Sequence, residues 1–252
     1  MTSNSKQEEL RLYYDTLFEA WGRQHWWPGR SRFEVIVGAY LTQNTAWTNV
    51  ERALGQLRQA KVLSVKGIRS MPLRNLEKLI RSSGYFRQKA ARLKWFIAFL
   101  DKNYGGSLAL MFAQPTAKLR EELLALKGVG PETADSILLY AGQQPVFVVD
   151  AYTRRILDRH GILSAHAPYE EIRALFEGAL SGIATQPETE SRGRKTNLKT
   201  CHSPSPMSLA QRSPRAQIYN EMHGLIVGVG KHYCSKSKPK CDGCPLQRFL
   251  PR

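Results

Sequence analysis

An all-α fold is predicted by three features of the sequence. Apolar residues recur at helical spacing along most of its length, short Gly- and Pro-containing breaks separate the recurrences, and one run alone has strand character. In chain order the helical recurrences are Leu10, Tyr13, Leu17 and Trp21; Phe33, Ile36, Val37, Tyr40 and Leu41; Leu54 and Leu57; and Leu93, Phe96, Ile97 and Leu100. Breaks fall at Trp27-Pro28-Gly29, Met71-Pro72, Ser83-Gly84, Tyr104-Gly105-Gly106, Gln114-Pro115 and Gly142, the short connections of a compact helical domain. The strand-like run, Pro145 to Val149, lacks a partner run and is expected to be a buried extended connector.

Composition narrows the function classes. With 252 residues, 42% of them hydrophobic, the chain can bury a substantial core as one domain of two helical lobes. Its 37 Lys and Arg against 21 Asp and Glu give +16, an excess that attracts polyphosphate regardless of base sequence. Charge alone leaves open a basic protein of another kind or a binder of anionic surfaces. The first 21 residues alternate charged and apolar side chains, unlike a signal peptide, and nothing approaches the roughly 20 apolar residues that span a bilayer. The expectation is a cytoplasmic, nucleoid-associated monomer with no membrane partner.

Residues 185–215 are rich in Ser, Thr, Pro and basic residues and lack apolar periodicity, so they are expected to be a disordered insertion within one domain made of residues 1–184 and 216–252. Cys201 and His202 lie in that insertion and are not expected to bind metal.

The segment Leu126-Lys127-Gly128-Val129-Gly130-Pro131-Glu132-Thr133 places two glycines around one apolar residue, a pattern for a tight turn between helices, with Pro131 suited to the first position of the second helix. Free N–H groups at that helix start would form an anion site for a DNA phosphate. Taken by itself, the same turn also joins purely structural helices. Some twenty residues on, Asp150 follows the apolar run and opens an amphipathic helix, Ala151-Tyr152-Thr153-Arg154-Arg155, where a carboxylate serves as an N-cap and is free to act as a catalyst as well.

These two segments, with this spacing, resemble the helix-hairpin-helix DNA glycosylase superfamily and its endonuclease III-like members. The resemblance spans roughly residues 30–184 and 216–245. It extends to Leu41-Thr42-Gln43-Asn44-Thr45, where the family's early helix ends in a glutamine that probes the duplex, and to Gly84-Tyr85-Phe86-Arg87-Gln88-Lys89-Ala90, which lies near DNA in relatives. The resemblance implies that Asp150 is the catalytic aspartate and that Gln43 fills the gap left by a flipped base. It also implies that Gln43, Asn44, Lys127, Gly128, Val129, Gly130 and Thr133 meet double-stranded DNA carrying a damaged base. A solvated helix-end amide remains the plain alternative for Gln43.

Bifunctional relatives carry a lysine two residues after the second hairpin glycine, and its amine attacks the sugar. Glu132 stands there, and a carboxylate forms no Schiff base, so a monofunctional enzyme without strong lyase activity is expected. Within the superfamily the best match is the endonuclease III-like 3-methyladenine branch, through His25-Trp26-Trp27-Pro28-Gly29 and Trp47. Trp26, Trp27, Pro28 and Trp47 would line the base pocket and stack on a cationic methylated purine, or else they serve simply as core. A bifunctional oxidised-pyrimidine glycosylase and a non-catalytic DNA-binding protein are the competing functions.

Near the C-terminal end, Cys234, Cys241 and Cys244 reproduce the first three ligands of the family's [4Fe–4S] loop, and Leu250 stands where the fourth belongs. A cluster, a zinc site of three cysteines with His232, and no metal at all are the three open readings.

Overall fold

The computed structural model describes residues 2–183 and 202–251, and among them there is no strand. Two compact units emerge, one from Met1–Pro28 with Gln143–Arg252 and the other from Gly29–Gly142.

The Gly29–Gly142 unit is built around α2 (Arg32–Thr42), in which every residue from Phe33 to Leu41 is buried. Ser31 caps it by accepting from the Glu34 amide, and Glu34, although only 4% exposed, is paired with Arg58 at 2.8 Å. A buried carboxylate without such a partner would shift its pKa or destabilise the fold. α3 (Trp47–Gln59) supplies Arg58 and packs Val50, Ala53, Leu54 and Leu57 inward. Two short helices, α4 (Val65–Ser70) and α5 (Leu73–Leu79), lead to α6 (Phe86–Tyr104), whose Leu93, Phe96, Ile97 and Leu100 face the core. α7 (Leu108–Phe112) and α8 (Thr116–Leu124) precede the hairpin. The helix after it, α9 (Pro131–Ser136), is anchored by fully buried Asp135, which accepts from Arg120 at 2.7 Å. α9 then widens over Ile137–Ala141, where the Gly142 amide reaches back five residues to the Ile137 carbonyl.

In the other unit, α1 (Ser3–Trp21) turns Leu10, Tyr13, Tyr14 and Leu17 inward. Residues Val146–Val149 are buried, as the sequence predicts, and belong to neither helix nor strand, with Phe147 stacked on Phe176 at 4.3 Å. α10 (Ala151–Arg159) and α11 (Tyr169–Ala179) follow, and α12 (Pro214–His232) is buried from Ile218 through Gly230. α12 opens two residues before the predicted Ala216, because Ser213 accepts from the Ala216 amide and Pro214 occupies the first helical position. The stretch from His202 to Ser213 lies in the predicted insertion, yet Met207 and Ser208 are buried and Arg212 donates to the carbonyls of Met207, Ser208 and Ala210. Residues 184–201, including Cys201, lie outside the described residues.

Gly230 of α12 sits against the Tyr152 ring of α10, where a methyl group would overlap it, whereas Gly55 of α3 has no neighbouring atom within 4 Å. Two substitutions of the same kind are therefore expected to move stability in opposite directions. Gly55→Ala should gain about 0.5–1 kcal/mol through reduced unfolded-state entropy. Gly230→Ala should lose about 1–3 kcal/mol from overpacking. Urea unfolding of both variants checks the pair, and a stabilised Gly230→Ala would contradict the packing described.

Candidate active site

The hairpin takes the predicted form. Gly128 adopts φ of +82°, the Val129 amide closes the turn onto the Leu126 carbonyl at 3.0 Å, and Gly130 is the N-cap residue of α9 with Pro131 at its first position. Gly128, Gly130 and Lys127 are exposed, whereas Val129 is 7% exposed and packs inward. Lys127 Nζ lies 5.3 Å from the centre of the exposed Trp95 ring on α6, a cation–π contact that anchors the lysine beside the turn. Glu132 is exposed in the first turn of α9, where a carboxylate suits the helix dipole and weakens the turn's attraction for an incoming phosphate.

Gln43 is tied to this hairpin. Its Nε2 donates to the Gly128 carbonyl at 3.0 Å and to Thr133 Oγ1 at 2.9 Å, and its Oε1 accepts from Arg92 Nη1 at 2.5 Å. Thr133, expected to touch DNA, is buried, with its hydroxyl engaged by Gln43. Gln43 in this state is a strut between α2 and the hairpin, and filling a gap in a duplex requires it to leave three hydrogen bonds. Arg92 was not legible in the sequence as a site residue. It lies directly beneath Gly128, where a side chain at that glycine would collide with it.

Asn44, the next residue, is exposed at φ of +52°, and Tyr85 is 67% exposed at φ of +44°. Their loops are stitched together from inside. Lys89, 1% exposed, donates to the Leu41 carbonyl, Thr45 Oγ1 and the Ser83 carbonyl at 2.7–2.8 Å, and burial lowers its pKa to about 8. The resemblance places its segment near DNA. The structure turns Lys89 itself inward as an ammonium that pins two loops, while Tyr85, Arg87 and Gln88 of the same segment are exposed. Trp47 belongs to this unit, half-buried at the start of α3.

The other unit holds Asp150. Its Oδ1 accepts from the Thr153 amide at 2.8 Å and the Thr153 hydroxyl at 2.9 Å, closing a capping box on α10. Its Oδ2 points toward His223 Nε2 at 3.6 Å, beyond hydrogen-bond length. The Asp150 side chain is 14% exposed and His223 only 4%. The His223 ring is also 6.0 Å from the Trp26 ring, so a histidine of α12 that the sequence did not single out joins the carboxylate to the predicted aromatic residues.

Trp26 and Trp27 meet edge to face at 5.3 Å and are 6% and 5% exposed, with Pro28 half-buried beside them. His202 rests on Trp26 at 5.2 Å and the Lys231 ammonium at 5.7 Å. Burial lowers the pKa of His223 and of His160, and it takes His202 down to about 4.

Cys234, Cys241, Cys244 and Leu250 line one cavity at the end of α12. Burial pushes the Cys244 thiol up, and its two fellow cysteines add to the effect. Three corners of a four-cysteine cluster site are present and the fourth is a leucine, so the family's standard [4Fe–4S] ligation does not fit these residues. Among the described residues no group of His, Cys, Asp and Glu is placed to hold a single metal ion, so the Cys3His zinc arrangement with His232 is not formed.

A hairpin with a Gly-Val-Gly turn and a capped aspartate after it, in an all-α chain, defines a helix-hairpin-helix DNA glycosylase. The family description "HhH-GPD superfamily base excision DNA repair protein" matches residues 37–181, and the chain belongs to that family. A Methanocaldococcus jannaschii protein assigned to the DNA repair glycosylases is 39% identical over 246 residues, covering 97% of each chain. Endonuclease III of Thermotoga maritima is 33% identical over 215 residues, covering 85% of this chain and 80% of that one. Among solved structures, a 3-methyladenine DNA glycosylase of H. pylori bound to 1,N6-ethenoadenine superimposes with a TM-score of 0.66 at 29% identity, covering 90% of this chain and 96% of that one. A trapped endonuclease III–DNA intermediate, at 22% identity and a TM-score of 0.69, shares the fold. Among the described residues no helix is long and apolar enough to cross a membrane.

Three histidines held neutral give stability a defined acid limb. The unfolded chain takes protons at these residues as pH falls below about 6.5, while the folded chain takes them up only at lower pH, His202 at about 4. Stability is full above pH 6.5 and falls between there and about pH 4. The melting temperature should drop from pH 7.5 to pH 5, and less steeply in His202→Phe. Calorimetry reads both slopes, and a melting temperature that is flat or rises toward pH 5 would show that the rings are charged in the fold.

Proposed function

We propose that this chain is a monofunctional glycosylase that hydrolyses the N-glycosidic bond of alkylated purines of the 3-methyladenine kind in double-stranded DNA. The observation that carries the reading is the grouping of Asp150, His223 and Trp26 in one unit, a half-buried carboxylate one buried histidine away from an aromatic pair.

The chemistry follows from the environment. Cleavage at C1′ builds positive charge on the sugar, and a carboxylate fixed by the α10 N-terminus and shielded from bulk water stabilises that charge more than a solvated one would. Oδ1 is held by Thr153, which leaves Oδ2 to face the sugar and to orient the attacking water. Neutral His223 matters here, because an imidazolium at 3.6 Å would offset the charge that the reaction uses. Duplex DNA is held through the hairpin amides, Lys127 and the exposed loops at Asn44 and Tyr85, contacts that ignore base sequence. The products are the free base and an abasic site.

Two features support the finer assignment. Glu132 takes the place of the lyase amine, and the 29%-identical H. pylori relative is a 3-methyladenine glycosylase. A 3-methyl purine is cationic and already a good leaving group, so an electron-rich surface serves it better than a strong general acid does. Trp26 carries a cation in this state, the Lys231 ammonium, and a base stacking on that ring must displace Lys231 or His202. Cytoplasmic, nucleoid-associated action as a monomer, through a single functional domain interrupted at residues 185–215, completes the proposal.

The 33% identity to Thermotoga endonuclease III favours a second reading, a bifunctional enzyme acting on oxidised pyrimidines. Base release measured on duplexes carrying 3-methyladenine, other alkylated purines or oxidised pyrimidines, each with and without borohydride, separates the two. Release of alkylated purines with no trapped covalent adduct is expected. A borohydride-trapped protein–DNA adduct, or release confined to oxidised pyrimidines, would replace the proposal by the second reading.

A further inference from the structure

Of the five tryptophans, Trp95 alone is exposed, at 42%, whereas Trp26 and Trp27 are buried and Trp21 and Trp47 half-buried. A single exposed apolar side chain is ordinary on a protein surface, but this one has a partner that points to a ligand. The Lys127 ammonium stands 5.3 Å from its ring centre, and Lys127 is the residue before the positive-φ turn at Gly128. The indole therefore borders the hairpin from a different helix.

Its surroundings suit a polyanion. The exposed residues of α6 are Arg87, Gln88, Trp95, Ala98, Lys102 and Asn103, and none is acidic. The one carboxylate of that helix, Asp101, is half-buried and paired with Arg69. Arg87, Ala91 and Trp95 follow at intervals of four along one side of α6. The eight residues from Arg87 to Trp95 rise about 12 Å, the length of three to four nucleotides of one strand. Ala91 and Ala98 stand one turn to either side of Trp95, and such small side chains leave the indole open to a flat partner. The Arg92 guanidinium lies against Gly128, so two cations border the turn, with Glu132 of α9 as the opposing charge.

An unattached lysine spreads over many rotamers, and fixing it on a phosphate costs that freedom. A cation–π contact removes part of the cost in advance. Aromatic faces also pack on nucleic acid whatever the base. We propose, on the reading that the hairpin holds duplex DNA, that Trp95 is a further DNA-contact residue of this chain. In the free protein its ring holds Lys127 beside the turn. On the duplex the ammonium passes to a backbone phosphate, the neighbouring deoxyribose covers the indole, and Arg87 extends the contact along the same strand. These contacts are blind to sequence and to damage.

An undamaged duplex is the probe, titrated over a range of salt, with acrylamide quenching of tryptophan emission read in the free and bound states. Duplex is expected to suppress most of the quenching in wild type and to have little effect on it in Trp95→Phe. Trp95→Leu should bind damaged and undamaged duplexes alike about three- to tenfold more weakly, and Trp95→Phe, which keeps a ring for Lys127, should recover most of that loss. Lys127→Met should lower the slope of log affinity against log salt by about one. An indole as open to acrylamide on DNA as off it, or a Trp95→Leu protein that binds as tightly as wild type, would overturn the proposal. A Lys127→Met protein with unchanged affinity and salt slope would instead overturn the reading of the hairpin as the DNA holder, and the role of Trp95 with it. Quenching of wild type needs no variant, so it decides the matter even where a substitution disturbs folding.

Discussion

Asp150 caps one helix end and is the carboxylate proposed to face the sugar, and the unit that contains it is arranged around that helix start. As an N-cap it satisfies an amide that α10 cannot pair internally, a contribution of about 1 kcal/mol. The same contact fixes the rotamer of the carboxylate and turns Oδ2 toward His223. α10 then carries that geometry outward. Tyr152 fits the notch left by Gly230 on α12, and Arg155 and Arg159, four residues apart on one face, hold the cysteine loop. Helix start, histidine wall and cysteine loop thus hang on a single nine-residue helix.

The Gly29–Gly142 unit is held instead by one buried and one half-buried cation. Lys89 ties the end of α2 to the loop before α6, and Arg92 ties Gln43 to the underside of the hairpin. The loop at the end of α2, the loop before α6 and Gln43 are thus each held by a positive charge. Such an arrangement supports precise loop geometry, and Lys127 and the hairpin amides are the groups proposed to meet phosphate. Part of the +16 charge is thus structural, and reading all of it as an electrostatic footprint overstates the binding surface.

Much of this was legible in the sequence. The helices follow apolar periodicity, as with Leu10, Tyr13 and Leu17, because burial of one stripe is a local pattern. Gly128 announces its turn and Asp150 its cap, since both depend on near neighbours. What could not be read depends on partners distant along the chain. His223 lies 73 residues from Asp150 and looks like an ordinary histidine on a buried helix. Arg92 meets Gln43 across 49 residues, and Lys89 reads as a surface charge until three carbonyl and hydroxyl oxygens are found around it. The order of residues 202–213 was missed for another reason. A Ser- and Pro-rich composition carries no apolar stripe, and this segment packs through Met207 and through Arg212 closing its own carbonyls.

Because the cap and the proposed catalyst share one side chain, they are separable by a substitution that preserves one of them. Asparagine caps a helix as well as aspartate does, yet it carries no charge to place against a cationic sugar. The decisive measurement is single-turnover base release by Asp150→Asn, taken with its melting curve and its affinity for damaged duplex. The account requires a melting curve within about 0.5 kcal/mol of wild type, retained binding and no detectable excision. A folded, DNA-binding Asp150→Asn protein that still releases base would remove the carboxylate from the chemistry.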